Sequence, residues 1–182
     1  MAPVGYSPRP ALRVSPCHLY LATCNLYRFT MNYWLMKSEP SVFGIEHLKR
    51  RPARTEPWDG VRNYQARNML RDQMRKGDQA FFYHSNCEVP GIVGIMEIVK
   101  EAYPDATAFD PNDHHFDPKS DPQKPAWYRV DVRYVRSFKR VISLTELRQY
   151  KELADMPLLR RGNRLSIMPV SAPQWRFILS LE

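Results

Sequence analysis

Apolar and polar positions recur with different periods along the chain, and each period predicts a different element. Residues 32–37 (NYWLMK) are mostly large and apolar, which predicts a buried first strand. Residues 79–85 (QAFFYHS) and 92–99 (IVGIMEIV) are also strongly apolar, and the turn-forming residues between them favour an antiparallel hairpin. In the second of these strands, Gly94 predicts a bulge or a close approach of two backbones.

A helical period is present in two other segments. In residues 64–76 apolar side chains recur every three or four positions, Asn63 is a suitable N-cap, and Gly77 is placed to end the helix. Residues 143–146 (SLTE) form a capping-box pattern, which predicts a helix that continues to about Leu153. These two helices therefore come before and after the central strands in the chain.

The remaining segments complete an α+β pattern. Residues 127–138 alternate between apolar and polar, residues 165–170 form a short apolar run, and a capped helix begins after Ser171. Residues 102–126 hold five prolines and predict a long loop, and residues 50–57 are also expected to form a loop. Because no regular βαβ crossover is present, this order predicts an α+β fold with a small, partly closed barrel.

Composition is that of an ordinary globular domain with a basic surface. The 182 residues suffice for one hydrophobic core, and no apolar run approaches the ~18 residues that cross a bilayer. The formal net charge is +8 and the pI is near 9.5, which favours polyanionic partners because cations near phosphates release condensed counterions. Three cysteines form no disulfide framework or metal-binding spacing, so we expect a reduced, cytoplasmic setting such as the bacterial cytosol or nucleoid.

Residues 1–30 differ from the rest of the chain. They contain four prolines and three arginines but no acidic residue, and they show no regular period. The apolar run before Cys24 is similar to part of a signal peptide, but polar residues interrupt it. We therefore expect residues 1–30 to be a disordered or non-native extension, with the domain at 31–182 and its natural start at Met31. The domain alone remains basic, with 24 basic residues against 19 acidic ones.

Candidate catalytic and metal-binding patterns are weak. The segment 110–117 contains two histidines and three aspartates, but it lies in the proline-rich loop, and adjacent histidines rarely bind one ion with good geometry. No Walker loop, GxGxxG sequence or zinc-deaminase signature is present. We therefore expect no metal, no cofactor and no catalytic residue. The alternative, an enzyme acting on a modified base or a small anionic metabolite, would use Lys37, His84 or Cys87.

Polar groups near an aromatic ring form the strongest functional pattern. Trp58 lies in a predicted turn, where an indole either plugs the end of a barrel or offers a face on which a base stacks. Lys37-Ser38, Ser85-Asn86 and residues 163–166 come at the ends of predicted strands. If these ends converge in a small barrel, they surround one cavity that suits a flat, hydrogen-bonding molecule.

Six segments carry a resemblance to a known family: YWLMKSEPSVF (33–43), WDGVRNYQARN (58–68), GDQAFFYHSN (77–86), GIVGI (91–95), FDPKSD (116–121) and RGNRLSIMPV (161–170). In this order, and across almost all of residues 32–181, the chain resembles the EVE domain family. The resemblance implies a PUA-like fold, which is a mixed pseudobarrel with flanking helices related to the YTH and ASCH domains. It also implies a non-catalytic module that recognises a modified base, above all 5-methyl- or 5-hydroxymethylcytosine in DNA.

The resemblance also implies a set of site residues. Trp58 would stack on the base, and seven others would contact its edge and backbone: Lys37, Ser38, Asn63, Ser85, Asn86, Arg164 and Ser166. The candidate phosphate contacts are Arg67, Arg71, Arg75 and Arg161, of which the first three recur every four residues and predict one basic stripe on a helix. Two alternatives stay open for the whole domain, an RNA-binding module for modified or structured RNA and a scaffold without a ligand.

Overall fold

The computed structural model describes Met1 and residues 31–182, so the predicted extension lies, apart from Met1, outside the described residues. The described residues form one mixed sheet of six strands in the order β2-β5-β4-β3-β1-β6. The strands are β1 (Tyr33–Ser38), β2 (Thr55–Trp58), β3 (Gln79–His84), β4 (Gly91–Pro104), β5 (Tyr128–Ser143) and β6 (Ile167–Val170). Only β1 and β3 are parallel neighbours, and the other pairs are antiparallel.

Within residues 31–182, five α-helices accompany the sheet. They are α1 (Pro40–Phe43), α2 (Ile45–Arg50), α3 (Tyr64–Asn68), α4 (Leu144–Leu147) and α5 (Ala172–Ser180). A π-helical turn (Met69–Gln73) continues α3, and short 3₁₀ turns lie at Pro52–Arg54, Ala106–Ala108, Lys151–Leu153 and Pro157–Leu159. No helix in residues 31–182 is long and apolar enough to cross a membrane.

The sheet is rolled into a pseudobarrel. Strands β2 and β3 are separated by β5 and β4, which in a flat sheet would put them about 14 Å apart. The rings of Trp58 on β2 and Phe82 on β3 nevertheless have centroids 5.4 Å apart. The two edge strands β2 and β6 do not pair with each other, so the barrel stays open. This confirms the predicted α+β, PUA-like architecture.

Two hydrophobic cores lie on opposite faces of the sheet, as strand alternation requires. The inner core contains Trp34, Met36, Trp58, Phe82 and residues of α2 and α3. The outer core contains Leu35, Phe81 and Tyr83 and is covered by Leu147, Leu153, Trp175 and Ile178. The sheet is therefore buried on both faces, which explains the nearly continuous apolar sequence of β3 and β4.

Close backbone contact explains the glycine in β4. The pairing of β4 with its neighbours shifts register next to Gly94, and a Cβ atom there would collide with the Ile45 side chain and the Arg136 carbonyl. The predicted hairpin and the predicted close approach at this position are both confirmed. Strand β4 extends to Pro104 and strand β5 to Ser143, which is further than predicted, and the loop between them runs from 105 to 127.

Several sequence predictions about elements were wrong. The segment expected to be a loop at 50–57 contains the edge strand β2, because a proline is tolerated in a strand at the edge of a sheet. Trp58 is the last residue of this strand and not part of a turn. The helix expected to reach Leu153 ends at Leu147, and both leucines are fully buried. Six residues turn an α-helix through about 600°, which leaves the two side chains about 120° apart, so one continuous helix would not bury both.

A further difference concerns the helix that was expected over 64–76. It has α geometry only to Asn68, and then the backbone N–H of Met74 donates to the carbonyl of Met69, five residues earlier, at 3.0 Å. A π turn of this kind changes the spacing of side chains along the helix. The predicted stripe of arginines is consequently interrupted, and Arg75 lies beyond the end of the helical segment.

Candidate functional site

A cleft of about 310 Å³ opens between the end of β2, helix α1 and the loop that follows β4. Its apolar wall consists of Val42, Phe43, Pro57 and Trp58. Its polar wall consists of Ser38, Arg51, Glu56, Asp59, Thr107, Asp113, His114 and His115. One side of the cleft is thus suited to a flat apolar surface and the other to hydrogen bonds.

The indole of Trp58 packs against two aromatic rings in the apolar wall of this cleft. Its ring meets Phe82 edge-on at 5.4 Å and Phe43 edge-on at 6.4 Å, and only 6% of the residue is exposed. Edge-to-face packing of this kind fixes the orientation of an aromatic ring. Trp58 therefore both closes the inner core and contributes a preoriented surface to the cleft.

The predicted polar strand ends partly converge on this cleft. The backbone N–H of Ser85 donates to the Ser38 carbonyl at 2.9 Å, and that of Lys37 donates to the Ser166 carbonyl at 2.8 Å. The structure therefore joins the ends of β1 and β3 and the start of β6. Of these residues, Ser38 lines the cleft.

Lys37 lies on the other face of the sheet. Its amine is 5.9 Å from the ring of Tyr83, which belongs to the outer core, whereas Ser38 is on the inner face. Burial lowers the pKa of the Lys37 amine. The structure therefore does not bring Lys37 together with Trp58.

Three more predicted site residues have structural partners or lie apart from the cleft. The side-chain oxygen of Asn63 accepts from the backbone N–H of Ala66 at 3.0 Å, so it caps α3 as expected. Asn86 has a left-handed backbone with φ of 51°, and its amide donates to Glu39 at 3.0 Å. Arg164 is exposed.

Several residues of the cleft were not predicted. Asp59 follows Trp58 at the mouth, where burial and the nearby Asp105 raise the pKa of its carboxyl group. Phe43 and Arg51 complete the wall, with the guanidinium 5.8 Å from the phenyl ring. No local sequence signal marks these residues, because α1 and the edge strand that bring them together were not recognised.

A buried ion pair fixes the loop that forms the far side of the cleft. Asp105 is fully buried and accepts from Arg62 at 2.7 Å, from the Thr107 hydroxyl at 2.8 Å and from the Gly60 backbone at 3.1 Å. Burial alone would raise the pKa of Asp105, but these hydrogen bonds hold it below its ordinary value. Arg62 also donates to the His115 carbonyl at 2.7 Å, which anchors the loop at the cleft.

Gly60 has a backbone and surroundings that exclude a side chain. Its φ of 71° lies in the left-handed region, and a Cβ atom would be 2.5 Å from the His115 ring. The glycine therefore allows the histidine to close over the turn after Trp58.

Asp113, His114 and His115 could hold a divalent metal ion. Each offers one ligand atom, and these atoms lie within 4.8 Å of one another. Asp113 already accepts from the His115 backbone at 2.7 Å, which occupies one of its oxygens. These residues belong to the segment 110–117, where we considered a metal from the sequence and expected none, and the group lies in the wall of the cleft.

The predicted phosphate contacts have local partners. Arg67 donates to the Ala126 carbonyl at 2.6 Å, Arg71 pairs with Asp72 at 2.7 Å, and Arg75 donates to the carbonyls of Met74 and Asp72. Arg161 is exposed in the turn before β6. The three arginines that were expected to form one stripe are thus held individually and not as a continuous row.

The open pseudobarrel with its covering helices defines an α+β protein of the PUA-like class. The chain matches the sequence profile of the EVE domain over residues 32–181, and it belongs to the EVE domain family. This confirms the resemblance that the six sequence segments carry.

Relatives and solved structures agree with this assignment. Thymocyte nuclear protein 1 of Homo sapiens is 49% identical over an alignment that covers 88% of this chain and 78% of the human protein. A crystal structure of the human THYN1 protein in complex with DNA containing 5-methylcytosine has a TM-score of 0.78 and 50% identity, and covers 82% of this chain and 96% of that one. Protein PSPTO5229 from Pseudomonas syringae is 53% identical with a TM-score of 0.79, at 82% and 98% coverage.

Proposed function

We propose that this chain is a non-catalytic DNA-binding module that recognises a modified cytosine, 5-methylcytosine or 5-hydroxymethylcytosine, in the cleft beside Trp58. The observation that carries the proposal is the combination of a preoriented indole with a polar wall in one small cleft. Its volume of about 310 Å³ is at the lower end of the range for small-molecule sites, which favours a single base. The similarity to the human THYN1 protein, whose structure contains 5-methylcytosine DNA, supports the choice of ligand.

The two walls of the cleft suit the two properties of such a base. A substituent on carbon 5 is best accommodated by the apolar wall of Val42, Phe43 and Trp58. Cytosine offers one amino donor at N4, for which the Asp59 carboxylate is a suitable acceptor. Ser38 and Thr107 carry hydroxyl groups that are able to donate to the acceptor atoms of the base edge.

The target base would have to leave the helical stack to enter the cleft. Extrusion from a duplex costs a few kcal/mol, and the cost is smaller for an unpaired base. The basic surface offsets part of this cost through phosphate contacts, since the chain carries a formal charge of +8. We therefore expect tighter binding to single-stranded than to double-stranded DNA of the same sequence.

The proposed absence of catalysis is supported by the placement of the alternative residues. The Nε2 atom of His84 accepts from the Ile45 backbone at 3.2 Å on the inner face of the sheet. Lys37 is on the outer face, next to Tyr83. The sheet separates these two groups, so they do not form an acid–base pair for one substrate.

The proposal is tested by measuring binding to matched oligonucleotides by fluorescence anisotropy. The strands carry one 5-methylcytosine, one 5-hydroxymethylcytosine or only plain cytosine, each as DNA and as RNA. We expect at least one modified DNA strand to bind about 10-fold more tightly than plain DNA, which is typical of one good polar or stacking contact. Equal affinity for modified and plain strands would refute base recognition, and a clear preference for RNA would refute the assignment to DNA.

Two variants connect the selectivity to the cleft. Trp58→Phe keeps an aromatic ring in the core, and it is expected to reduce the preference for modified DNA while the protein stays folded. Arg176→Ala is a matched surface change, because Arg176 is exposed on α5 and does not line the cleft. If both variants keep the wild-type preference, the base does not bind beside Trp58.

A further inference from the structure

The structure points to a second nucleic-acid contact outside the cleft: we propose that the exposed ring of Tyr64 is a stacking platform for a nucleotide next to the recognised base, with Arg67 and Arg71 beside it for the phosphates. This inference rests on the proposed function, since it assigns the neighbouring nucleotide of the same strand. We call the surface formed by Tyr64, Arg67, Arg71, Trp127 and Tyr128 the Tyr64 platform.

The ring of Tyr64 is unusually open for an aromatic side chain in a folded domain. The residue is 61% exposed, although it is the first residue of α3 and thus lies on a fixed element. One face of its ring stacks on Trp127 with centroids 4.8 Å apart and planes inclined by 30°. An exposed aromatic ring that is already ordered loses little conformational entropy when a base stacks on it. Such stacking tolerates any base.

Trp127, on which the Tyr64 ring stacks, is itself held in place. Trp127 is only 6% exposed, and its indole N–H donates to Asp117 at 2.6 Å. On its own element, Tyr64 is positioned by the Asn63 cap, which accepts from Ala66 at 3.0 Å. Asn63 therefore acts on the platform by ordering the start of α3.

Cations pack on the rings of Tyr64 and of Tyr128, which is partly buried. The Arg67 guanidinium lies over the Tyr64 ring, 5.1 Å from its centre, and that of Arg71 lies over the Tyr128 ring at 5.8 Å. Asp72 pairs with Arg71 at 2.7 Å and offsets part of its charge. Aromatic rings alternating with arginines are suited to a single nucleic-acid strand, whose bases and phosphates alternate in the same way.

The platform is connected to the cleft through Arg62. Its guanidinium lies 5.6 Å from the Trp127 ring centre and donates to the His115 carbonyl at 2.7 Å. His115 lines the cleft, and Trp127 supports Tyr64. A strand with one base in the cleft would therefore pass over the neighbouring surface, where the Tyr64 platform meets its next nucleotides.

The test is a double-mutant cycle between Tyr64 and the oligonucleotide, carried out on the full chain. Single-stranded DNA with one 5-methylcytosine is prepared with an abasic site at each of the three positions on either side. Tyr64→Ala and Tyr64→Leu remove the flat ring, and leucine keeps apolar packing on Trp127. We expect both variants to bind the intact strand about 10-fold more weakly, while Tyr64→Phe binds like the wild type.

The abasic series gives the decisive readout. At one flanking position, loss of the base is expected to weaken binding by the wild type by a similar factor. The affinity of Tyr64→Leu should hardly change at that position. If Tyr64→Leu binds the intact strand like the wild type, or if its defect is the same at every abasic position, the platform is refuted. The two proposals fail in different ways: equal binding of modified and plain strands by the wild type refutes base recognition in the cleft, whereas a Tyr64→Leu variant that binds like the wild type refutes the platform.

Discussion

Trp58 and Tyr64 lie six residues apart and belong to surfaces of opposite character. Trp58 is 6% exposed, is held by two phenyl rings and borders a cleft with a carboxylate at its mouth. Tyr64 is 61% exposed, lies on a single buried ring and is bordered by arginines. An enclosed ring discriminates between ligands by shape, whereas an open ring accepts any base. The comparison therefore predicts that selectivity depends on the cleft and that overall affinity depends on the platform.

The largest effect is expected for removal of the buried ring. Trp58→Ala should lower the free energy of unfolding by about 3–5 kcal/mol, as is usual when a large core side chain is truncated. Thermal or urea denaturation measures this loss, and the preference for modified DNA should disappear with it. A loss below about 1 kcal/mol would show that Trp58 is not part of the inner core.

The next effect concerns the ion pair under the far wall of the cleft. Asp105→Asn should destabilise the fold by about 2 kcal/mol, because Arg62 loses a charged acceptor in a mostly buried position. The pKa of Asp105 is lowered by folding, so its contribution is fully present above the ordinary value of 3.8 and is lost as the pH falls below it.

Urea denaturation at neutral pH and at acid pH tests this prediction. The wild type should lose stability as the pH falls through this range, and Asp105→Asn should lose less. If the wild type and the variant had parallel pH profiles, Asp105 would not carry the proposed linkage.

A smaller effect is expected at the mouth of the cleft. Asp59→Asn keeps the size of the side chain but removes its charge, and it should weaken binding to a modified strand by about 10-fold. Burial raises the pKa of Asp59, so the wild-type affinity should decline as the pH is lowered through this raised pKa. In anisotropy titrations across this pH range, the affinity of the Asp59→Asn variant should not show this decline. If Asp59→Asn bound the modified strand as tightly as the wild type, the N4 amino group would not bind at Asp59.

The smallest effect is expected from one cation of the Tyr64 platform. Arg71→Ala should reduce the slope of log K against log salt concentration by about 0.7 for single-stranded DNA, and should leave the ratio of modified to plain affinity unchanged. Arg176→Ala provides the charge-matched control on α5. A change in the ratio itself would mean that the two surfaces do not have separate roles.

The sequence predicted the parts of the fold that depend on local periodicity. The hairpin of β3 and β4, the last helix and the close approach at Gly94 follow from apolar period and glycine placement. Strand β2 was missed because it is short, lies at an edge and contains Pro57. The end of α4 was missed because it depends on which leucines the outer core buries.

The candidate site was only partly predictable because it too depends on how distant segments pack together. Trp58 was proposed as an aromatic ring in a predicted turn and Ser38 from its position at a strand end, and both line the cleft. Lys37 is adjacent to Ser38 in sequence but lies on the opposite face of the sheet. Asp59 and Phe43 reach the cleft through the rolling of the sheet and the position of α1, and neither feature has a local signature.

The most direct test of the cleft is an NMR titration that follows the indole N–H signals of the folded protein. The indole signal of Trp58 is assigned by its loss in the Trp58→Phe variant. The signal of Trp175, which lies in the outer core, serves as an internal control. Addition of a single strand with one 5-methylcytosine is expected to shift the Trp58 signal strongly, the plain strand to shift it much less, and Trp175 to stay in place. A Trp58 signal that does not move when the protein is saturated with the methylated strand would contradict the account.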